Sequence, residues 1–417
     1  MMHNERNASG PPPAPFWARV TAAWPAAAAT LLLLFFSIAE LFRFFLAVLA
    51  LGGVYVLVRR REWPRGRWFL LFAAAFACLW IPMLASVADA EFPQVAATAT
   101  ARYLIYLLAG YLWIGAFVRY GTARALLAGA FAVLLYWSAD ALFQFVTGVD
   151  FFGHEAFAGE RLSGMMGPRL TVVLAAISPV FFHALLRFGA RRRPLWLLVF
   201  PYLLVVLYGG SRIAWMLMLL SLTLYSALLV AMGVRLRFRR IAVIVSVVIV
   251  VTAIAVAQTD WLEQRVVDLS GLFSGDYTQV NTAVNNRLPH WQAAARMYER
   301  NPVNGIGVRN YKFSYPDYSN GDQVFRGQPH LFLLEVAAET GTIGLVGYTL
   351  FLVLIAAAMM QLARRRQYEA IPWGIALLLA AFPLSATLSL YAHFTSALIW
   401  YLAMVFFAVA ALEDEVA

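Results

Sequence analysis

The apolar stretch IAVIVSVVIVVTAIAVA (residues 241–257) is followed directly by the polar stretch QTDWLEQRVVDLS (residues 258–270). The first carries no charged residue and is long enough to cross the hydrocarbon core of a bilayer as a helix. Polar sequence then continues to Pro329, where PHLFLL (residues 329–334) begins another apolar run. Loops long enough to fold usually carry function, so the chemistry of this chain is expected in or beside the insert.

The whole chain has the composition of an integral membrane protein. Of its 417 residues, 62% are hydrophobic and 13% are charged, and the mean hydropathy is +0.71. A water-soluble domain of this size would aggregate with so apolar a composition. Apolar runs of membrane length predict about twelve transmembrane helices. They start near Ala22, Leu41, Trp68, Thr98, Arg124, Leu170, Pro194, Arg212, Ile241, Leu331, Ile371 and His393.

These runs predict an all-α membrane protein in three parts. Residues 1–257 form an N-terminal transmembrane bundle of about nine spans, and residues 330–417 form about three C-terminal spans. Residues 258–329 form one large loop between them. Leu262, Val266, Leu269 and Phe273 fall near helical spacing, so the loop is expected to be mostly helical, with a short amphipathic piece on the membrane surface.

Arginine positions predict the orientation of the chain, because short cytoplasmic loops retain Lys and Arg. Alternate loops hold Arg59, Arg60, Arg61, Arg65 and Arg67; Arg119 and Arg124; Arg187, Arg191, Arg192 and Arg193; Arg235, Arg237, Arg239 and Arg240; and Arg364, Arg365 and Arg366. Both termini are therefore predicted to be cytoplasmic, and the large loop faces outward. The net charge of +10 belongs mainly to this inward belt, which suits anionic membrane lipids and does not imply nucleic acid.

Several kinds of chemistry find no support in the sequence. Residues 1–17 are polar and Pro-rich without the short apolar core and cleavage site of a signal peptide, so the first span is expected to be an uncleaved anchor. Cys78 is the single cysteine, which excludes an intramolecular disulfide and a thiolate metal cluster. Neither a P-loop nor a Rossmann fingerprint is present, so ATP is not the expected energy source.

The positive-inside rule does not explain the arginines in loops that are predicted to face outward. Arg161 lies in a Gly-rich segment, Arg212 follows the turn Gly209-Gly210-Ser211, and Arg287 lies in the large loop before a predicted helix. The guanidinium group grips phosphate oxygens with two parallel hydrogen bonds, so these arginines indicate a phosphorylated ligand. The alternative is an arginine that extends toward lipid headgroups.

His330 is the strongest candidate for a catalytic residue. Preceded by Pro329 and followed by apolar residues, it is expected in the first turn of a helix that enters the membrane from outside. The positive end of the helix dipole disfavours the imidazolium form, so the ring would stay neutral and serve as a general base. The alternative is a structural histidine that only donates or accepts hydrogen bonds. His183 and His393 lack nearby outward arginines.

Other polar residues have simpler interpretations. Asp89 and Glu91 lie in an outward loop and could hold a divalent cation, but two acids are weak evidence and no metal is expected. Asp140 and Gln144 share one helix face and could line a cavity or bond to a neighbouring helix.

Within the large loop, one face of the predicted helix 288–300 is expected to dock. Its stripe is Leu288, Trp291, Ala294, Ala295 and Tyr298. Four aromatic residues could stack on sugar rings, although local packing is the simpler interpretation; they are Tyr311, Phe313, Tyr315 and Tyr318. Five further cations of the loop are interpreted mainly as solvated surface; they are Arg296, Arg300, Arg309, Lys312 and Arg326.

A set of motifs resembles the bacterial O-antigen ligase and polymerase superfamily. The motifs are Gly-Gly-Ser-Arg212, Arg287-x3-Trp291-x3-Ala295, Asn301-Pro-Val-Asn-Gly305-Ile-Gly307, His330-Leu-Phe-Leu-Leu-Glu335 and Glu339-Thr-Gly341-Thr-Ile-Gly344. The match is specific over residues 287–347, and the span count agrees over nearly the whole chain. One departure is His330-Leu331 where the family usually has His-Asn, which leaves the hydrogen-bond partner of the histidine open.

The resemblance implies an enzyme at the periplasmic face of the bacterial inner membrane, with a GT-C-like architecture. Its donor would be O-antigen on undecaprenyl diphosphate, and its acceptor the lipid A-core oligosaccharide. The family's arginines match Arg212, Arg287 and, less securely, Arg161, while its loop-end histidine matches His330. The arginines would bind the diphosphate, and His330 would activate the acceptor hydroxyl for an inverting transfer that needs no metal or cofactor.

Three other functions compete with the ligase. An O-antigen polymerase would use the same donor and base, and a protein O-oligosaccharyltransferase would share the same core. Many of the latter carry an additional periplasmic domain after the last spans, whereas this sequence ends at Ala417. A lipid-linked oligosaccharide flippase, which performs no covalent chemistry, would instead have broken helices and charges deep in the membrane.

Overall fold

The computed structural model of the chain describes residues 16–61, 66–158, 161–189, 192–234, 260–321, 327–385 and 388–416. Within these ranges the regular structure is helical, and β-type pairing is limited to two isolated bridges, Val149–Glu155 and Phe157–Arg161. The predicted all-α class is therefore confirmed. The predicted span near Ile241 and several arginines lie outside the described residues; these arginines are Arg65, Arg191, Arg235, Arg237, Arg239, Arg240 and Arg326.

The α-helices of the described ranges are numbered in chain order. They are α1 (Phe16–Phe35), α2 (Ala39–Tyr55), α3 (Arg67–Ser86), α4 (Pro93–Tyr120), α5 (Ala123–Thr147), α6 (Leu170–Gly189), α7 (Val199–Tyr208), α8 (Arg212–Ala231), α9 (Asp260–Ser270), α10 (Tyr277–Ala283), α11 (Leu288–Arg300), α12 (Tyr311–Tyr318), α13 (Phe332–Arg364), α14 (Ile371–Ala380) and α15 (His393–Val416). Short 3₁₀ turns precede α6 and α7, at Gly164–Arg169 and Arg193–Leu198.

Eight helical segments of the described chain are long and apolar enough to cross a membrane. They are Glu40–Arg60, Arg67–Ser86, Pro93–Tyr120, Ala123–Thr147, Gly164–Gly189, Arg212–Ala231, Phe332–Arg364 and His393–Glu415. Three other predicted spans correspond to shorter apolar helices, at Ala23–Phe35, Arg193–Tyr208 and Ile371–Ala380. The chain is thus a multi-pass membrane protein with eight candidate spans among the described residues, where the sequence predicted about twelve in all.

Two helices form the centre of the bundle because they are apolar on every side. Most of α15 is buried, and it packs against α3, α4 and α14. Most of α6 is also buried, and it packs against α5, α8 and α14. The two helices begin at the same end of the bundle, where the side chain of Arg169, just before α6, contacts that of Phe394 on α15. The candidate functional site lies at this end.

Helix α13 is broken near its start, and part of the large loop fills the break. Gly341 has φ 62° and ψ −158°, so the helical hydrogen bonds stop there. The backbone N–H groups of Thr342 and Ile343 donate instead to the carbonyl oxygens of Pro302 and Val303, at 2.8 and 3.2 Å. Two stretches of the sequence resemblance therefore bond to each other, which fixes the loop on the transmembrane bundle.

Helix α11 docks on α13 through a face that differs from the predicted one. His290, Ala293, Ala294 and Met297 are buried, whereas of the predicted stripe only Ala294 is fully buried. The prediction was wrong because small alanines allow a closer approach of two helices than bulky residues do. The larger Trp291 lines a cavity instead.

The aromatic residues of α12 mostly pack within the large loop, in agreement with the interpretation of the sequence as local packing. Tyr311, Tyr315 and Tyr318 are buried. Phe313 remains 45% exposed and its ring centroid lies 5.4 Å from that of Phe92.

Candidate functional site

One cavity of about 1060 Å³ collects the four residues that the sequence singled out. Arg161, Arg212, Arg287 and His330 all line it, although they are distributed over 170 residues of the chain, from 161 to 330. Its walls come from the starts of α6, α8 and α15, from the large loop and from the segment after α14. The structure thus brings the predicted residues together; their roles stay predictions.

Arg161 is fixed by a loop that folds back onto α5. Its Nε donates to the carbonyl oxygen of Gly209 at 2.9 Å, in the turn before α8, and its guanidinium lies over the ring of Phe157. The backbone N–H of Leu162 also donates to the carbonyl of Tyr208. These contacts tie the Arg161 loop to the turn that precedes Arg212.

Asp140 and Gln144, on the buried face of α5, hold this loop. The carboxylate of Asp140 accepts from the backbone N–H of Phe151 at 2.9 Å and of Met165 at 2.7 Å. Gln144 Oε1 accepts from the N–H groups of Ser163 and Gly164, at 2.9 and 3.0 Å. Neither side chain lines the cavity. They bond to the Arg161 loop rather than to a neighbouring helix.

Asp150 closes the turn at the start of the same loop. Burial raises the pKa of its carboxyl, but hydrogen bonds from the ring and backbone of His154 and from the backbone of Phe152 outweigh burial, and the pKa lies below its usual value. The Asp150 carboxylate is therefore ionised at neutral pH and accepts these hydrogen bonds as an anion.

Arg212 is the first residue of α8 and connects it to the large loop. Its Nη2 lies 2.9 Å from Oδ2 of Asp268 on α9, and Nη1 donates to the carbonyl oxygen of Ala283 at the end of α10. Leu269 and Leu272, just after Asp268, also line the cavity. The contact with α9 had no signal in the sequence, because Asp268 is one of several acids in the loop.

Arg287 directly precedes α11, as predicted, and α11 connects it to His330. Trp291, one turn further along, donates from its indole Nε1 to the carbonyl oxygen of Pro329 at 3.0 Å. Because Pro329 is the neighbour of His330, a single helix positions both the arginine and the backbone of the histidine.

His330 lies outside helix α13, in contrast to the prediction. Its φ is 56°, in the left-handed region, and Leu331 after it is extended, so the helix begins only at Phe332. The cause is the segment after α14: the N–H groups of Phe332 and Leu333 donate to the carbonyls of Ser385 and Pro383. The helix-dipole argument for a neutral ring therefore loses its basis, since the ring is not in the first turn.

A chain of polar contacts reaches the ring of His330 from inside the bundle. Gln328 Nε2 lies 3.5 Å from His330 Nδ1, and Gln328 Oε1 accepts from the backbone N–H of Ser389 at 2.7 Å. The hydroxyl of Ser389 accepts from Arg309 Nη1 at 2.8 Å. Gln328 is thus a polar partner of the His330 ring. The His330-Leu331 departure had left the identity of this partner open.

Arg309 and the two acids of α13 anchor this chain. The backbone N–H of Arg309 donates to Oε2 of Glu339 at 2.7 Å, and that of Leu390 donates to Oε2 of Glu335 at 2.8 Å. Both acids are buried. Arg309 is therefore bonded to the bundle, whereas Arg300 and Lys312 are exposed as predicted for solvated surface.

The acids Asp89 and Glu91 serve a structural purpose. Glu91 accepts hydrogen bonds from the hydroxyls of Ser314 and Tyr318, and Asp89 accepts from Asn304. They join the loop between α3 and α4 to the large loop. In the described part of the chain, no group of three or more His, Cys, Asp or Glu residues could hold a metal ion.

The cavity has one cationic region and one apolar region. Its lining contains four arginines, because Arg169 joins the three predicted ones, and no acid is found among the described lining residues. The apolar lining continues along three helices, through Val173 and Ala176 on α6, Met216 on α8 and Leu398 on α15. Such a site suits a molecule with an anionic head and a long apolar chain.

Two comparisons with known proteins bear on this geometry. Residues 196–349 match the protein-family model described as O-Antigen ligase. The match covers the sequence from α7 to the middle of α13, including Arg212, Arg287 and His330, while Arg161 and Arg169 precede it. No curated protein matched the chain.

Proposed function

We propose that the chain is an O-antigen ligase, because residues 196–349 match the family model described as O-Antigen ligase. The reaction would transfer O-antigen polysaccharide as one block from undecaprenyl diphosphate to the lipid A-core oligosaccharide. It would take place at the periplasmic face of the bacterial inner membrane, with both chain termini in the cytoplasm.

One observation carries this proposal. Three arginines and a histidine, distant in sequence, line a single cavity whose remaining wall is largely apolar. A lipid-linked diphosphate needs both properties, because its phosphates require charge-assisted hydrogen bonds and its prenyl chain requires an apolar surface. A soluble nucleotide sugar would have no use for the apolar wall.

The proposed reaction is a single displacement. The acceptor hydroxyl oxygen bonds to the anomeric carbon as the bond between that carbon and the diphosphate oxygen breaks, which inverts the configuration. Arg161, Arg212 and Arg287 stabilise the negative charge that develops on the departing diphosphate. His330 takes the proton of the hydroxyl at its unprotonated ring nitrogen. No general acid is needed, because the diphosphate leaves as an anion.

Close relatives of this reaction use the same chemistry with other acceptors. An O-antigen polymerase would add the chain to a second lipid-linked unit, and a protein O-oligosaccharyltransferase would add it to a hydroxyl side chain. All three enzymes would bind the same class of lipid-diphosphate donor in this cavity, so only the acceptor distinguishes them. The ligase is favoured because the loop and C-terminal motifs resemble that branch.

A lipid-linked oligosaccharide flippase is the alternative from another class. The break in α13 at Gly341 and the buried Glu335 and Glu339 are features that such a transporter would have. In this chain, however, backbone groups at the break bond to Pro302 and Val303, and the acids accept from backbone N–H groups. Bonds of this kind favour a fixed scaffold over a moving helix.

The decisive experiment supplies purified protein with undecaprenyl-diphosphate-linked polymer and rough lipopolysaccharide in a chelating buffer. High-mass lipopolysaccharide should form with the unaltered chain and fail to form with His330→Ala. Chain lengthening without lipopolysaccharide would identify a polymerase. In cells, loss of a flippase would leave the donor inside, whereas loss of the ligase would strand finished polymer on its carrier outside.

A further inference from the structure

Arg169 is a cation of the same cavity that no motif of the sequence indicated. It follows Pro168 at the end of the 3₁₀ turn before α6, and its side chain is exposed to the cavity space. Its guanidinium carbon lies 4.9 Å from the centre of the Phe394 ring at the start of α15. That ring is held in turn by Phe36, at 4.4 Å between centroids.

The contact with Phe394 fixes the guanidinium without using its hydrogen-bond donors. A guanidinium–aromatic contact acts through the positive charge, so the N–H donors of the guanidinium remain available to other partners. No hydrogen bond or ion pair connects the Arg169 side chain to another residue of the described ranges. Arg161 and Arg212, in contrast, each donate to protein carbonyl oxygens.

The position of Arg169 relative to the apolar wall of the cavity indicates which part of a bound ligand its guanidinium would contact. On α6 the cavity-lining residues after Arg169 are Val172, Val173 and Ala176, at helical spacing along one face. On α15 the residue one turn beyond Phe394 is Leu398, which also lines the cavity. The Arg169–Phe394 pair therefore lies at the polar end of an apolar path between the two helices.

We infer that Arg169, stacked on Phe394, binds the phosphate of the diphosphate donor that is attached to the prenyl chain. This inference rests on the proposed function, because it takes a lipid diphosphate as the ligand. A phosphate at this place lies directly above an apolar path for its chain. The other arginines are then left for the phosphate that carries the sugar.

The test measures binding of farnesyl diphosphate and farnesyl phosphate to the full chain in nanodiscs, without any transfer step. The unaltered protein should prefer the diphosphate. Arg169→Ala should weaken binding of both probes about tenfold or more, because both carry the phosphate attached to the prenyl chain and both lose a charge-assisted contact. A loss confined to the diphosphate would overturn the assignment to this phosphate. Arg169→Lys, which keeps the charge and is the less disruptive change, should give an intermediate loss because it cannot stack as a planar fork.

Arg300 offers a matched control. It also lies over an aromatic ring, that of Tyr318 at 4.8 Å, but it is exposed on the large loop and does not line the cavity. Arg300→Ala should bind both probes as the unaltered protein does. An equal loss in Arg300→Ala would overturn the inference, because it would show a general effect of surface charge.

The results separate this inference from the proposed function. If Arg169→Ala and Arg169→Lys bind the diphosphate normally while Arg212→Ala and Arg287→Ala do not, the role of Arg169 is refuted and the donor site stands. If the unaltered protein binds neither probe, the donor site itself is refuted, and the inference with it.

Discussion

The amide nitrogen of Gln328 lies 3.5 Å from Nδ1 of His330, two residues further along the chain. The backbone N–H of Ser389 donates to the other end of the same amide, Oε1, and so determines which end faces the ring. With an N–H group of Gln328 toward Nδ1, the neutral ring carries its hydrogen on Nε2. Nδ1 is then the unprotonated nitrogen, and the acceptor hydroxyl must replace the amide there for proton transfer.

This contact leads to a prediction on pH dependence. A donor that faces the unprotonated nitrogen stabilises the neutral ring, so removing it favours protonation. In Gln328→Leu, the loss of activity on the acidic side of the rate profile should therefore begin at a higher pH. Gln328→Glu should shift the profile further in the same direction, because its charge stabilises the imidazolium. Measurement of kcat/KM against pH tests this order, and an unchanged acidic limb in both variants would contradict it.

The indole of Trp291 supports a second prediction. Trp291→Phe keeps an aromatic ring but removes the hydrogen bond to the Pro329 carbonyl. Loss of this bond costs about 1 kcal/mol and loosens the backbone of His330, so kcat should fall about tenfold. Because Trp291 also lines the cavity, the donor KM should be measured as well. A change confined to the KM would mean that the indole binds substrate and does not position the histidine.

Substitution of Gln144 should change the position of Arg161, because Gln144 bonds to the backbone of the loop that carries this arginine. Gln144→Ala removes the acceptor of the Ser163 and Gly164 N–H groups, and leaving buried donors without a partner costs about 1–3 kcal/mol. We expect a higher donor KM, since the loop that presents Arg161 loses its fixed position. Thr98→Ala is a suitable control, because Thr98 is exposed and bonds only within its own helix. Equal KM values for the two variants would show that Gln144 does not support the site.

The broken helix predicts an unusual sensitivity at one glycine. A Cβ at Gly341 would lie 2.2 Å from the carbonyl oxygen of Val303, and the residue has φ +62°. Gly341→Ala should destabilise the fold by more than the roughly 1–3 kcal/mol of left-handed strain alone. Gly233→Ala, with φ +76° and open space around it, isolates the strain. Thermal unfolding should rank Gly341→Ala clearly below Gly233→Ala, and the reverse order would be inconsistent with an inserted loop.

The sequence by itself determined the all-α class and singled out four residues that line one cavity. Membrane-length apolar runs can be read locally, because each helix satisfies its own backbone hydrogen bonds in lipid. Arginines in the loops that are predicted to face outward stand out for a similar reason, since the positive-inside bias disfavours them there. The start of α11 after Arg287 was likewise visible in the chain.

Only the tertiary structure decided how these parts meet. The buried face of α11 and the position of His330 outside α13 depend on residues that lie far apart in the sequence. The orientation of the Gln328 amide toward His330 likewise depends on Ser389, 61 residues further along. The sequence did not indicate Arg169, because the ring that holds its guanidinium belongs to Phe394, 225 positions further along on α15. Contacts between distant segments depend on how the helices pack, so the periodicity of either segment alone does not predict them.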